Sequence, residues 1–163
     1  MLRTYLKDHP RLLVRAWQAM SWLVDRLGPW FERVGLERAS RWVYKLETPF
    51  KQWLFDCRSC GQCVLHYTGM TCPMTCPKQL RNGPCGGVRV NGKCEVYPDR
   101  DCVWVLALRR LEKTPYQREQ FRINPPVDWQ LEGMASWVTH ATGRDQVYLG
   151  AETEPRYADE VLA

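Results

Sequence analysis

Eight cysteines fall between Cys57 and Cys102 of this 163-residue chain, and the first three read C-R-S-C-G-Q-C. A stretch of 46 residues so rich in thiols holds too few large apolar side chains to form a core of its own. Thiolates gathered around metal are the chemistry that such crowding serves best. The full spacing is C57-x2-C60-x2-C63-x8-C72-x3-C76-x8-C85-x8-C94-x7-C102. Three cysteines at successive x2 intervals let one tight loop present three thiolates to three irons of a cubane, as in the front half of the bacterial ferredoxin run. The chain departs from that run at the fourth place, because the next cysteine lies eight residues on rather than three. Proline follows twice, in Cys72-Pro73 and Cys76-Pro77, and stiffens each loop.

Eight thiols divide into two four-ligand sites, and two [4Fe-4S] clusters are the expected cofactors. The spacing leaves the pairing open. The simplest division gives Cys57, Cys60 and Cys63 to one site with a distant fourth ligand, and draws the other from Cys72, Cys76, Cys85, Cys94 and Cys102. Zinc at one or both sites is the competing reading, favoured less because no second C-x2-C pair accompanies the first. His66, between Cys63 and Cys72, has the chemistry of a ligand, but a loop histidine is more often solvated. Disulfides are disfavoured, since no export signal is visible and thiols kept inside a cell stay reduced.

The chain carries no dinucleotide-binding glycine loop, no phosphate-binding loop and no H-E-x-x-H, and its histidines are only His9, His66 and His140. Redox centres without substrate chemistry suggest an electron carrier serving another protein. The formal charge is +5, and the basic residues do not interleave with aromatics as a nucleic-acid surface would, so a zinc-ribbon nucleic-acid binder is disfavoured. No stretch approaches the roughly 18 apolar residues of a membrane span, and a cytoplasmic location is expected.

The elements that must position these thiols give a small, loop-rich α+β fold stabilised by metal. Residues 1–56 read as N-terminal helices, 57–104 as the cysteine-rich domain, and 105–163 as a short helix with an extended arm. Apolar spacing predicts a helix from Pro10 to Leu27, closed by Gly28-Pro29, and a second from Trp30 to Leu46 that Gly35 weakens. Thr48-Pro49 reads as the cap and first residue of a short third helix. Too few helices are present to bury both of their sides, so a docking surface for a larger subunit is expected, with Trp17 and Trp42 among its aromatics. Asn91-Gly92 between Val88–Val90 and Lys93–Tyr97 predicts a β-hairpin, and Val103 to Leu111 a short helix. The last dozen residues are expected to be disordered.

The segment from Leu54 to Trp104 resembles the C-terminal domain of methylenetetrahydrofolate reductases, found in many bacteria as a separate small subunit of the MetV type. The resemblance rests on C-x2-C-G-x-C, C-P-x2-C-P-K, N-G-P-C-G-G, G-x-C-E-V and D-x-C-V-W. It implies an accessory iron–sulfur subunit that relays electrons from a donor such as ferredoxin to a MetF-type catalytic subunit. That partner would carry the flavin and reduce 5,10-methylenetetrahydrofolate to 5-methyltetrahydrofolate. It also implies that Gly61, Gly83, Gly86 and Gly87 bring backbone N–H groups to the cluster sulfurs, that Pro73, Pro77 and Pro84 fix the loops, and that Lys78 and Arg81 offset cluster charge or meet an acidic donor. The alternative is a zinc-binding subunit that docks on the catalytic partner and stabilises it without carrying electrons.

Overall fold

A computed structural model describes residues 2–146. Five α-helices order this region: α1 (Leu2–Asp8), α2 (Pro10–Val34), α3 (Leu36–Phe55), α4 (Val103–Leu111) and α5 (Ser136–Ala141), with short 3-10 turns between them. The expected α+β class becomes a largely helical one, because among the described residues the only β-pairing is a single antiparallel bridge, Lys93 to Asp101. A type I′ turn needs positive φ at both central residues, and of Asn91 and Gly92 only the glycine has it (φ 78°). Arg89 and Lys93 therefore close a lone turn, with Arg89 N–H donating to the Lys93 carbonyl at 3.0 Å. The chain then folds back through Pro98-Asp99, so that Cys94 N–H reaches the Arg100 carbonyl and Cys102 N–H the Gly92 carbonyl.

The helical breaks also differ from expectation. Gly28-Pro29 does not stop α2, although an interior proline forfeits one helical hydrogen bond. Packing against α5 compensates: Gly28 lies so close to the Ala141 carbonyl that a Cβ there would sit 2.7 Å from its oxygen. The break falls at Gly35, whose φ of 94° is in the region that favours glycine. Likewise Thr48 is buried inside α3 rather than capping a new helix, and Pro49 is carried within it.

Three groups of apolar side chains hold these elements. Val24, Phe31 and Ala39 of α2 and α3 enclose Ala135 and Val138 from the α5 segment. Leu13, Val14, Leu54 and Phe55 pack instead against Leu65, Met70, Cys72 and Met74 of the cysteine-rich stretch. Trp104 and Ala107 of α4 cover Cys102 and Val88. The segment expected to be an extended arm is only partly one in its described part: an irregular stretch, 122–128, is flanked by 3-10 turns and followed by α5. The last dozen residues lie outside the described region. No described helix is long and apolar enough to cross a membrane.

Candidate metal centres

The chain sorts its eight cysteines into two sets of four. Cys57, Cys60, Cys63 and Cys72 line one cavity, called site 1; Cys76, Cys85, Cys94 and Cys102 line a second, site 2. The spacing alone could not divide them, because Cys72 and Cys76 are close neighbours in sequence. The 3-10 turn Pro73–Thr75 separates them. Cys76 N–H donates to the Pro73 carbonyl at 3.0 Å and the Thr75 hydroxyl to the Cys72 carbonyl at 2.7 Å, so this short turn also joins the two sites.

Site 1 begins where α3 ends. Asp56 takes the left-handed conformation that terminates the helix (φ 56°), and its carboxylate is held by Arg3 and by Lys7 at 3.0 Å. These pairs strap α1 across the start of the thiol loop, and despite partial burial they hold Asp56 below the usual carboxylate range. The loop itself is clamped from the far end of the chain. Ser59 accepts from Gly133 N–H at 2.9 Å, and Gly61 accepts from the Thr139 hydroxyl. Gln62, only 1% exposed, accepts from Asp128 N–H at 2.8 Å and donates to the Asp145 carbonyl at 3.3 Å. Gly61 is required here for a reason other than contact with sulfur. Its φ is 74°, and a Cβ would collide with the Leu131 carbonyl.

Two buried cations stand at this cavity. Lys51, 1% exposed, donates to Glu47 at 2.6 Å and to the Ser136 hydroxyl at 2.7 Å, between the rings of Trp17 and Trp137. Burial lowers the Lys51 pKa, but Cys63 and Glu47 outweigh it and leave the ammonium above its ordinary value. Glu47 carries that effect at neutral pH, because burial pushes the Cys63 thiol up and keeps it protonated although Lys51 pulls against it. Arg81 donates to the Gln62 carbonyl at 2.9 Å and reaches the Cys60 sulfur at 3.9 Å.

The thiols are correspondingly polarised. The Cys72 thiol donates to Cys57 and, against burial, draws it down to about 6; the Ser59 N–H at 3.3 Å and Lys51 assist. The same bond, with burial, pushes Cys72 well above its ordinary range. Site 1 thus holds a thiolate at neutral pH, the form that ligates metal. His66 is not solvated: it lies against Trp17, Tyr67 and Tyr116, and burial lowers it to about 3, so the ring is neutral.

Site 2 is held by loops. Cys102 is buried, whereas Cys76, Cys85 and Cys94 are half-buried. Trp104 forms one wall, its indole N–H donating to the Leu80 carbonyl at 3.0 Å. Lys78 pairs with Glu95, which also meets the Cys85 thiol at 3.5 Å. The bridge beneath is reinforced by Lys93 and Asp101 at 2.7 Å. Of the remaining glycines, a Cβ on Gly87 would strike the Glu95 carboxylate, whereas Gly83 and Gly86 face open space. Among the described residues, no three cysteine, histidine or acidic side chains are gathered as they would be around one metal ion.

Sequence reasoning missed Lys51, Glu47 and Ser136. The detectable signal was the Glu47–Lys51 pair at i,i+4, one helical turn apart just before Cys57. It was hidden by reading Thr48-Pro49 as a helix start.

Comparison with known protein families places part of the chain. The protein-family model described as "Methylene-tetrahydrofolate reductase C terminal" matches residues 36–130. This range opens on the first residue of α3 and contains all eight cysteines. Among curated proteins and solved structures, nothing matches.

Proposed function

Because this chain belongs to the methylene-tetrahydrofolate reductase C-terminal family, we propose that it is an accessory electron-transfer subunit of a folate reductase, docked on a flavin-bearing MetF-type partner. The observation that carries this reading is the division of eight thiols into two lined cavities joined by one short turn. An iron–sulfur cluster held by four such thiols would supply one-electron oxidation and reduction, which the partner's flavin would collect for reduction of the methylene carbon. Cys57, Cys60, Cys63 and Cys72 would hold one cluster, and Cys76, Cys85, Cys94 and Cys102 the other. The closely spaced run Cys57, Cys60 and Cys63 supports clusters over single zinc ions, because three thiolates at successive x2 intervals suit three irons of one cubane.

The chain's own residues would place and insulate these groups. Gln62 and Thr139 fix the site 1 loop against the C-terminal segment, while Lys51 and Arg81 bring positive charge to it. Docking would use the outer face of α3. Trp42, Leu46, Phe50 and Trp53 recur there at helical spacing and stand 48–77% exposed, an apolar row of the kind that marks an interface. Trp17 does not belong to that face, because it packs into the core beneath site 1.

Anaerobic reconstitution of the complex tests the reading. Reduced ferredoxin should bleach the partner's flavin when the wild-type chain is present, and fail to do so with Cys94→Ser. Trp42→Ala should weaken the complex at least about tenfold, roughly 1.4 kcal/mol, with metal content unchanged. Flavin reduction at the same rate without this chain would remove the electron-transfer role.

A further inference from the structure

Arg81 is a buried cation without a counter-ion. It is 6% exposed, yet among the described residues no carboxylate pairs with its guanidinium. Nη2 donates to the neutral Gln62 carbonyl at 2.9 Å, Nη1 approaches the Cys60 sulfur at 3.9 Å, and Nε is buried with no acceptor. Asp145 lines a hollow together with Arg81 but forms no ion pair with it: His140 holds Oδ2 at 3.1 Å, and Oδ1 is buried without a partner. Lys51, the other cation at site 1, already has Glu47 at 2.6 Å.

A formal charge balance of the two cavities follows from their lining residues. Site 1 has Lys51 and Arg81 against Glu47, two positive against one negative, leaving +1. Site 2 has Lys78 and Arg100 against Glu95 and Asp101, two against two, leaving none. An arginine is always charged, and a buried charge left unpaired is expensive. That balance leaves the thiols aside, and the sulfur that Arg81 reaches belongs to Cys60, so what the four thiols hold can supply the missing anion, since thiolates around iron and sulfide carry net negative charge.

We propose that Arg81 is the counter-ion of the metal–sulfur group at site 1 and stabilises its reduced, more negative state. The inference rests on the iron–sulfur reading above. Net charge near the group and hydrogen bonds to its sulfurs are the levers by which a protein sets such a potential. The guanidinium at the Cys60 sulfur supplies both. Arg81 is thus a tuning residue rather than a catalytic one. Lys78, which sequence reasoning placed beside it in the same role, sits at the rim of site 2 with 43% of its side chain exposed and is already paired with Glu95.

The test is an anaerobic redox titration followed by electron paramagnetic resonance, on the full chain reconstituted with ferrous iron and sulfide. Arg81→Gln should lower one of the two couples by at least tenfold in its equilibrium constant, 59 mV for a one-electron couple, and leave the other in place. Arg81→Lys should recover most of that shift, and Lys78→Gln, which removes a charge at the rim of site 2, should leave the couple that Arg81→Gln moves in place. If Arg81→Gln loses half its iron while Arg81→Lys keeps it, positive charge is needed to hold the group, and the proposal stands. Equal iron loss in both Arg81 variants would make the guanidinium a structural brace and overturn it. A fully loaded Arg81→Gln protein with both couples unmoved, or both moved together, would overturn it as well. Wild-type protein that binds no iron or sulfide would instead remove the iron–sulfur reading itself, which elemental analysis of the same sample separates from the other outcomes.

Discussion

Site 1 and site 2 each present four thiols, in opposite settings. Site 1 is backed by α2 and α3, clamped by the Asp128–Thr139 segment, and lined by buried charges. Site 2 hangs on loops, one antiparallel bridge and the indole of Trp104, with its lysine open to solvent. Site 1 joins the apolar cluster that reaches α2 and α3, whereas site 2 joins only a small one, in which Cys102 packs with Trp104 and Ala107 of α4. Cys72 is itself a member of the apolar cluster that holds Leu13, Val14, Leu54 and Phe55. Removing site 2 chemistry should therefore cost the fold little, whereas damage to site 1 should reach the helices.

The largest effect should come from the cysteines themselves. Cys60→Ser should lose the iron of site 1 together with much of the cooperative unfolding transition. Cys94→Ser should lose half the metal and keep its helical circular dichroism. If either change alone emptied both sites, the division into two sets of four would be wrong. Next in size is the buried pair. Lys51→Met leaves Glu47 charged and unpaired at 3% exposure, which should destabilise the protein by about 3–5 kcal/mol in urea denaturation. The double change Lys51→Met with Glu47→Leu should restore much of that loss, because it removes both charges. A smaller contrast separates the glycines. Gly61→Ala meets the Leu131 carbonyl at site 1 and adds left-handed strain, with an expected cost of roughly 3 kcal/mol. Gly83→Ala faces open space near site 2 and should carry only the left-handed penalty, about 1–2 kcal/mol. Equal costs would mean that the clamp on the site 1 loop is loose.

The smallest effect is a pH dependence confined to the site 1 side. The hydrogen bond that His140 donates to the Asp145 carboxylate, reinforced by the charges of Asp145 and Asp25, raises the His140 pKa above its ordinary value of 6.5 despite burial. A raised histidine stabilises the fold fully below its unfolded pKa, and that contribution fades as pH climbs through the folded value. The stability advantage of the wild type over His140→Asn in thermal melts should therefore shrink from about pH 6 upward.

What the sequence disclosed follows the same divide. Helix α4 lies at Val103–Leu111, as its apolar pattern indicates, and the first three thiols do fall in one cavity. The partition of Cys72 from Cys76 was illegible, because a three-residue 3-10 turn and not spacing decides it. Helix α5 was illegible for another reason. Its six residues bury Ser136, Val138 and Thr139, a largely polar set whose hydrogen bonds to Lys51 and Gly61 give it its place. Long-range clamps of this kind leave no periodic trace. The continuous helices α2 and α3 were obscured by Pro29 and Pro49, whose local breaking tendency is overridden by tertiary packing.

The central claim is that each set of four thiols holds an iron–sulfur cluster. The most direct measurement is iron, acid-labile sulfide and zinc per chain, with the visible absorption spectrum, on protein purified without oxygen. Two four-iron clusters predict about eight irons and eight sulfides with a brown chromophore. A colourless protein holding about two zinc ions and no sulfide would contradict the account and leave a structural subunit in its place.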